Sequence, residues 1–231
     1  EECRQSCRSC HGCPGCGKGW AEKPMRIITG KARGLHLTVP KNYDVRPTAD
    51  RVKESLFNII GQRVSGAAVL DLFAGTGNLG LEAWSRGARL IQFVDHNRDS
   101  LKLVRSNIAK CRAEQDCKVL KHDAEAAVDL LFRQGQRFDL IFVDPPYNKG
   151  WVQKVLHKLE SVPLLTESGW LILEHSRHDD LTGQVPAGYE QFRSQQYGET
   201  ILTFLRHASA PAGTEVLDGT AGGMGDGGQD A

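Results

Sequence analysis

The segment Phe138-Asp139-Leu140-Ile141-Phe142-Val143-Asp144-Pro145-Pro146-Tyr147 carries an apolar run into an acid, two prolines and an aromatic ring. Consecutive prolines fix backbone dihedrals, so the Asp144 carboxylate and the Pro145 carbonyl are held in place as two hydrogen-bond acceptors. An amine on a heteroaromatic ring is a poor nucleophile because its lone pair is delocalised into the ring. Two acceptors on its two hydrogens push it toward tetrahedral geometry and aim the lone pair at an alkyl donor. Tyr147 offers a face to the ring, a contact worth about 1–3 kcal/mol per base. Asp144, Pro145, Pro146 and Tyr147 therefore read as a site for methylating an exocyclic amine.

A second constellation supplies the donor. Ala68-Val69-Leu70-Asp71-Leu72-Phe73-Ala74-Gly75-Thr76-Gly77-Asn78-Leu79-Gly80 is an apolar strand running into a glycine turn that opens a helix. Gly75, Gly77 and Gly80 have the dinucleotide-binding spacing, in which the first two glycines permit a tight turn and close approach of backbone to ligand. Asp95 follows Gly77 by eighteen residues, at the end of the next strand, where a carboxylate accepts from both ribose hydroxyls. An adenosine-type cofactor is expected. A nicotinamide cofactor would lay its pyrophosphate on the helix N-terminus, whereas S-adenosylmethionine presents an amino-acid moiety there. Asp71 takes the ammonium of that moiety by a charge-assisted hydrogen bond but repels a pyrophosphate, which favours the sulfonium cofactor.

These residues need a scaffold that brings strand ends together. From residue 67 onward, apolar runs at 68–72, 90–94, 118–121, 138–143 and 169–174 alternate with amphipathic stretches at 79–85, 98–109, 124–133 and 151–159. Such alternation specifies right-handed βαβ crossovers and a parallel sheet covered on both faces. Residues 189–194 and 200–205 then form an antiparallel pair closing the sheet edge. Ahead of the sheet, 27–29 and 35–39 are expected as two short strands joined by a turn from Gly30 to Gly34. Thr48 suits an N-cap for a helix in which Val52, Ser55, Leu56, Ile59 and Ile60 recur at helical spacing up to Gly61, with basic residues on its outer face.

The chain has 231 residues, 40% hydrophobic and 25% charged, with a formal net charge of +1. Wholesale disorder is excluded by that apolar fraction and low charge, and no run of about 18 apolar residues provides a spanning helix. The averages hide unequal parts. Residues 208–231 hold four acids and no Lys or Arg, and residues 1–24 are nearly balanced, so residues 25–207 carry 25 basic against 21 acidic groups. Seven Lys or Arg fall between Met25 and Ser55, and such clustering suits nucleic-acid phosphates.

The Asp71-Leu-Phe-Ala-Gly-Thr-Gly turn, Asp95, His122-Asp123-Ala124 and the Asp144-Pro-Pro-Tyr loop together resemble class I S-adenosylmethionine-dependent methyltransferases acting on exocyclic amines. Met25-Arg-Ile-Ile-Thr-Gly-Lys-Ala-Arg-Gly and Arg46-Pro-Thr-Ala-Asp-Arg-Val-Lys-Glu-Ser-Leu-Phe-Asn resemble the opening of the RsmD-type enzymes, which methylate guanine N2 in bacterial 16S ribosomal RNA. The resemblance spans residues 25 to about 206. It implies an α/β, Rossmann-like fold with a seven-stranded, mostly parallel sheet, an antiparallel edge hairpin, and a small N-terminal hairpin and helix. It implies S-adenosylmethionine as cofactor, with Asp71, Phe73, Ala74, Gly75 and Gly77 at the methionine moiety, Asp95 at the ribose, and Asp123 and Ala124 at the adenine. Asp144, Pro145, Pro146 and Tyr147 would then hold the guanine, and Arg33, Arg46, Arg51 and Lys53 would contact RNA phosphates. The implied partner is 16S rRNA or the assembling small ribosomal subunit, met by a monomeric, cytoplasmic, membrane-free enzyme.

The expected division is a Cys-rich leader at 1–24, a basic RNA-contacting part at 25–61, the methyltransferase domain at 62–207 and a flexible Gly/acidic tail at 208–231. Cys7, Cys10, Cys13 and Cys16 have metal-ligand spacing, but no second ligand cluster accompanies them, and the run is read as an accessory or non-native leader without metal. His175 and His178 are read as solvated loop residues, and Cys111 and Cys117 as small packing residues. Adenine N6 methylation in DNA suits the same loop, yet the chain has no long insertion to recognise a DNA target. An NAD-dependent oxidoreductase leaves the Asp144 loop without purpose. A non-catalytic RNA-binding module has no use for Asp144 and Tyr147.

Overall fold

A computed structural model describes residues 25–40, 47–146, 150–179, 181 and 183–208. Tyr147, Arg46, the cysteines of the leader and the Gly/acidic tail beyond Ala208 lie outside the described residues. Within them the sheet has seven strands in the order β3-β2-β1-β4-β5-β7-β6. These are β1 Ala68–Asp71, β2 Leu90–Asp95, β3 Cys117–Lys121, β4 Phe138–Val143, β5 Leu165–Ser176, β6 Tyr189–Tyr197 and β7 Thr200–His207. All pairings from β3 to β5 are parallel, while β7 runs antiparallel to both β5 and β6. Helices α2 Asn78–Ser85, α3 Arg98–Cys111, α4 Ala124–Arg133 and α5 Trp151–Ser161 connect the parallel strands.

The alternation of side chains along each strand assigns them to two faces. Val69, Phe142 and Ile172 pack with α2, α3 and the N-terminal helix α1 Pro47–Ile60, whereas Leu70, Ile141 and Leu173 pack with α4 and α5. α1 carries Phe57 against Phe142, ring centroids 5.9 Å apart. Helix α1 begins at Pro47, so Thr48 lies in its first turn rather than at the N-cap; proline is well suited to a first helical position. Residues 25–40, α1 and the sheet share one apolar cluster.

The expected N-terminal pair of strands is not a ladder. One isolated antiparallel bridge, Arg26 to His36, joins its arms. Backbone hydrogen bonds flank it, from Ile27 N to Leu35 O at 3.0 Å and from Gly34 N to Ile27 O and Leu37 N to Met25 O at 2.8 Å, and helix side chains engage the groups that face away from the pair. Ile28 and Thr29 donate their N–H groups to the Glu82 carboxylate at 2.7 and 3.0 Å. Ser85 Oγ donates to Thr29 O and accepts from Ala32 N. Asn107 Oδ1 accepts from Thr38 N at 2.7 Å while its Nδ2 donates to Thr38 O and Thr76 O. The segment is a strap bound across α2 and α3.

Lys53 departs from expectation in the same region. Its side chain is 2% exposed, donates to Arg26 O at 2.6 Å and Asn78 Oδ1 at 2.7 Å, and pairs with Glu82 at 3.3 Å. It is a tie between α1, the strap and α2 and does not reach an RNA phosphate. Burial pushes its pKa down despite the Glu82 carboxylate. His175 is likewise no loop residue: it is buried in β5 with its ring between Thr203 Oγ1 and Ser176 O. His178 is exposed, 3.3 Å from Glu199. Cys111 and Cys117 are buried free thiols whose pKa values burial pushes to about 11 and about 12.

Gly80 sets the distance between α2 and the sheet. A Cβ there would stand 2.3 Å from Phe93 Cε1 and 2.8 Å from Ile91 Cγ2, both on β2. Gly80→Ala is expected to lower stability by about 1–3 kcal/mol through overpacking, read as a shift in the denaturant midpoint. Lys53→Met, which leaves Glu82 with Arg86 as its remaining cation and removes the donor to Arg26 O and Asn78 Oδ1, is expected to cost about 1–3 kcal/mol by the same measurement.

Candidate active site

The strand order reverses at β1, which is flanked by β2 on one side and β4 on the other. Open α/β sheets bind ligands in the crevice at such a switch point, outside the carboxyl ends of the strands. A cleft of about 270 Å³ lies there, lined by Asp71, Phe73, Ala74 and Gly75 from β1 and its turn, and by Asp144 and Glu174 from the ends of β4 and β5. Met25, Pro40, Val52 and Lys53 close it from the strap and α1.

The turn after β1 is built for exposed backbone. Gly75 and Gly77 sit at φ values of 54° and 81°, and Gly77 precedes the first residue of α2. A side chain at either position would be strained. Asp71 is 2% exposed and accepts from Gly80 N at 3.2 Å, which places its carboxylate against the start of α2. Asp95 supports the turn from β2: one carboxylate oxygen accepts from Gly75 N at 3.0 Å and the other from Asn97 N at 2.8 Å. Neither Asp95 nor Gly77 lines the cleft itself. Asp123 is exposed immediately ahead of α4, and Ala124 is buried as its first residue. Both stand outside the cleft lining.

Pro145 is buried and Pro146 exposed, with Asp144 half-buried between β4 and the loop. Of the basic residues, Arg33 and Arg51 are exposed. The structure thus brings Asp71, Phe73, Ala74, Gly75 and Asp144 to one cleft and adds Glu174, Asn78 and Lys53 as lining residues. Glu174 was legible, since it ends the run Leu171-Ile172-Leu173 as Asp71 and Asp144 end theirs.

Electrostatically the floor is acidic. Burial raises the Asp71 pKa to about 7, with Asp95 adding to the rise and the Gly80 N–H opposing it. Asp144 is pushed well above the ordinary carboxylate range by burial, then by Glu174 and Asp71. Such a row of carboxylates disfavours a pyrophosphate and favours a cation. The residues present fit S-adenosylmethionine: a buried acid for the ammonium, bare backbone at the glycine turn, and an acidic floor beneath a positive sulfur.

Residues 25–206 match the protein family described as "Conserved hypothetical protein 95". The chain belongs to this family. The match covers the same residues as the resemblance to RsmD-type methyltransferases and bears it out. Among the family's relatives, the "Putative rRNA methyltransferase YlbH" of Bacillus subtilis (strain 168) is 36% identical over 182 residues, which span 79% of this chain and 98% of that protein. The "Ribosomal RNA small subunit methyltransferase D" of Escherichia coli (strain K12) is 34% identical over 180 residues, 76% of this chain and 86% of that one. Of solved structures, the "Putative methyltransferase yhhF from Escherichia coli" superposes with a TM-score of 0.69 at 31% identity, covering 79% of this chain and 97% of that chain. The Rossmann-like class I methyltransferase fold is thereby established for this member of the family.

The raised Asp71 pKa makes the ligand-free fold pH-sensitive. A carboxyl whose folded pKa exceeds its unfolded value holds its proton better in the folded state, so stability falls as pH rises. For Asp71 the fall is expected between pH 3.8 and about 7, with Asp144 acting in the same sense. Melting temperatures across that range should decline in the wild type, and Asp71→Asn should flatten the decline.

Proposed function

We propose that this protein transfers a methyl group from S-adenosylmethionine to the exocyclic N2 amine of a guanine in small-subunit (16S) ribosomal RNA. The single observation that carries the reading is the placement of Asp144, followed by Pro145, in the same acidic cleft as Asp71 and the glycine turn. The names of the relatives support ribosomal RNA as the substrate class. No helix among the described residues is long and apolar enough to cross a membrane, and we take the enzyme to act in the cytoplasm as a monomer.

In this reading S-adenosylmethionine supplies an electrophilic methyl group on a positively charged sulfur. Asp71 holds the ammonium and the glycine turn receives the rest of the amino-acid moiety. Asp95 keeps the turn in shape through Gly75 N–H and offers its remaining lone pairs to the ribose; Asp123 and Ala124 serve the adenine. The Asp144 carboxylate and the Pro145 carbonyl accept the two amine hydrogens, and Tyr147 stacks on the base. Alignment of the amine nitrogen with the methyl group provides most of the rate. The methylated amine then gives up a proton readily, and Asp144 is its nearest assigned acceptor.

Arg33 and Arg51 are not among the residues that line the cleft. Arg33, Arg46 and Arg51 contact RNA phosphates, while the guanine is presented from a loop or flipped out of a helix to reach the pocket. Residues 25–61 are thus the RNA-contacting part and 62–207 the methyltransferase part.

Isothermal titration is expected to show binding of S-adenosylhomocysteine and none of NAD. Asp144→Ala is expected to abolish methyl transfer while holding S-adenosylhomocysteine affinity within a few fold, whereas loss of both would show that Asp144 serves the cofactor. Mass spectrometry of rRNA nucleosides from a deletion strain should show N2-methylguanosine lost at one position. Loss of an adenine modification instead would overturn the choice of base.

A further inference from the structure

β1, β4 and β5 are neighbours in the sheet, and each apolar run ends in an acid: Asp71, Asp144 and Glu174. In register Asp71 stands beside Phe142 and Val143 beside Leu173, so Asp144 and Glu174 are the next positions across β4 and β5. Neighbouring strands lie roughly 4.8 Å apart. Val69, Phe142 and Ile172 share one core face, and the acids two residues beyond them line one cleft. The row has a direction. Asp71 is at the glycine turn, whose Gly80 N–H it accepts, and Glu174 is at the end farthest from that turn.

We propose that Glu174 selects guanine, its carboxylate accepting the ring N–H adjacent to the amine that Asp144 and Pro145 hold. The assignment rests on the proposed reading of the cleft as an amino-methyltransferase site. The cofactor's ammonium belongs at Asp71 and the amine at Asp144, so the next acceptor in the row faces the part of the base that flanks the amine. The amino-bearing bases differ at that point. On the Watson–Crick side of N2 in guanine is N1–H, a donor, with the acceptor N3 on the other side; on the Watson–Crick side of N6 in adenine is N1, and of N4 in cytosine N3, both of them acceptors.

An ionised carboxylate only accepts. In that form Glu174 would find a partner in guanine and lone-pair repulsion in adenine and cytosine. Paired donors on the Watson–Crick edge of guanine, N1–H and N2–H, also suit two neighbouring carboxylates that otherwise repel each other. The upward displacement of the Asp144 pKa by Glu174 shows that the two acids feel one another. Enzymes that extrude a base read it by hydrogen bonds to this edge.

The test is a pair of small-subunit rRNA fragments that differ in the target base, guanine in one and 2-aminopurine in the other. The analogue keeps the amine but has an acceptor nitrogen in place of N1–H. Wild type is expected to prefer guanine by about a hundredfold or more in kcat/KM, as sites built around a substrate N–H do. Glu174→Gln places an amide donor opposite that nitrogen and is expected to narrow the preference about tenfold or more, with S-adenosylhomocysteine affinity within a few fold of wild type. An equal loss on both fragments, or an unchanged preference, overturns the assignment while leaving the proposed function standing. Failure of the wild type to methylate either fragment overturns the proposed function and this assignment with it.

Discussion

Glu82 is the group around which the walls of the cleft are assembled. Its carboxylate is fully buried in α2 and accepts from four donors: the backbone N–H groups of Ile28 and Thr29, Nε of Arg86, and the ammonium of Lys53. An ion of this kind removed from water costs several kcal/mol unless its partners are well placed. Here the partners come from the strap, from α1 and from the next turn of α2 itself. Satisfying one charge therefore fixes three elements against one another. Asn107 adds a second joint, since it holds Thr38 of the strap and Thr76 of the glycine turn through one amide. The strap and α1 contribute Met25, Pro40, Val52 and Lys53 to the cleft, so the pocket's shape depends on a carboxylate that does not line it.

The opposite side of the cleft needs no such device, because parallel pairing places it. β1, β4 and β5 are held in register, and their carboxyl ends bring Asp71, Asp144 and Glu174 into a row. The two sides carry different chemistry. The glycine turn, stiffened by Asp95 from β2, presents backbone to a ligand, and the β4 and β5 ends present acceptors. The order of the strands across the switch point thus sets exposed backbone on one side of the cleft and acidic side chains on the other.

Much of this was legible in the sequence, and the exceptions share a cause. Buried parallel strands are nearly continuous apolar runs, so β1, β2 and β4 were located within a residue, and the Asp144 loop stood out because prolines and an acid end such a run. Lys53 departs from expectation because a charged residue is buried where it has partners, here Glu82, Asn78 and the Arg26 carbonyl. Its spacing to Phe57 and Ile60 puts it on the buried stripe of α1, and the omission of Phe57 from the apolar set rotated the inferred face outward. The strap keeps hairpin hydrogen bonds between its arms, Ile27 N to Leu35 O and Leu37 N to Met25 O, but its remaining groups bond to Glu82, Ser85 and Asn107, more than fifty residues away. Local alternation is blind to partners at that distance. His175 failed for a related reason: β5 runs past the apolar core to Ser176, and the ladder to β7 carries the ring into contact with Thr203.

The charge distribution constrains how a nucleic acid can use this site. The exposed basic residues Arg33 and Arg51 belong to the strap and α1, outside a cleft whose floor is a row of acids. A polyanion is attracted to the first and repelled by the second. A phosphate backbone gains nothing by entering the cleft, whereas a neutral, donor-bearing group does. A base still stacked in a helix keeps its phosphates close to its own plane, so descent requires that the nucleotide be splayed or extruded. The acids that suit a sulfonium cofactor thereby also disfavour the phosphates of a nucleic acid that approaches the cleft.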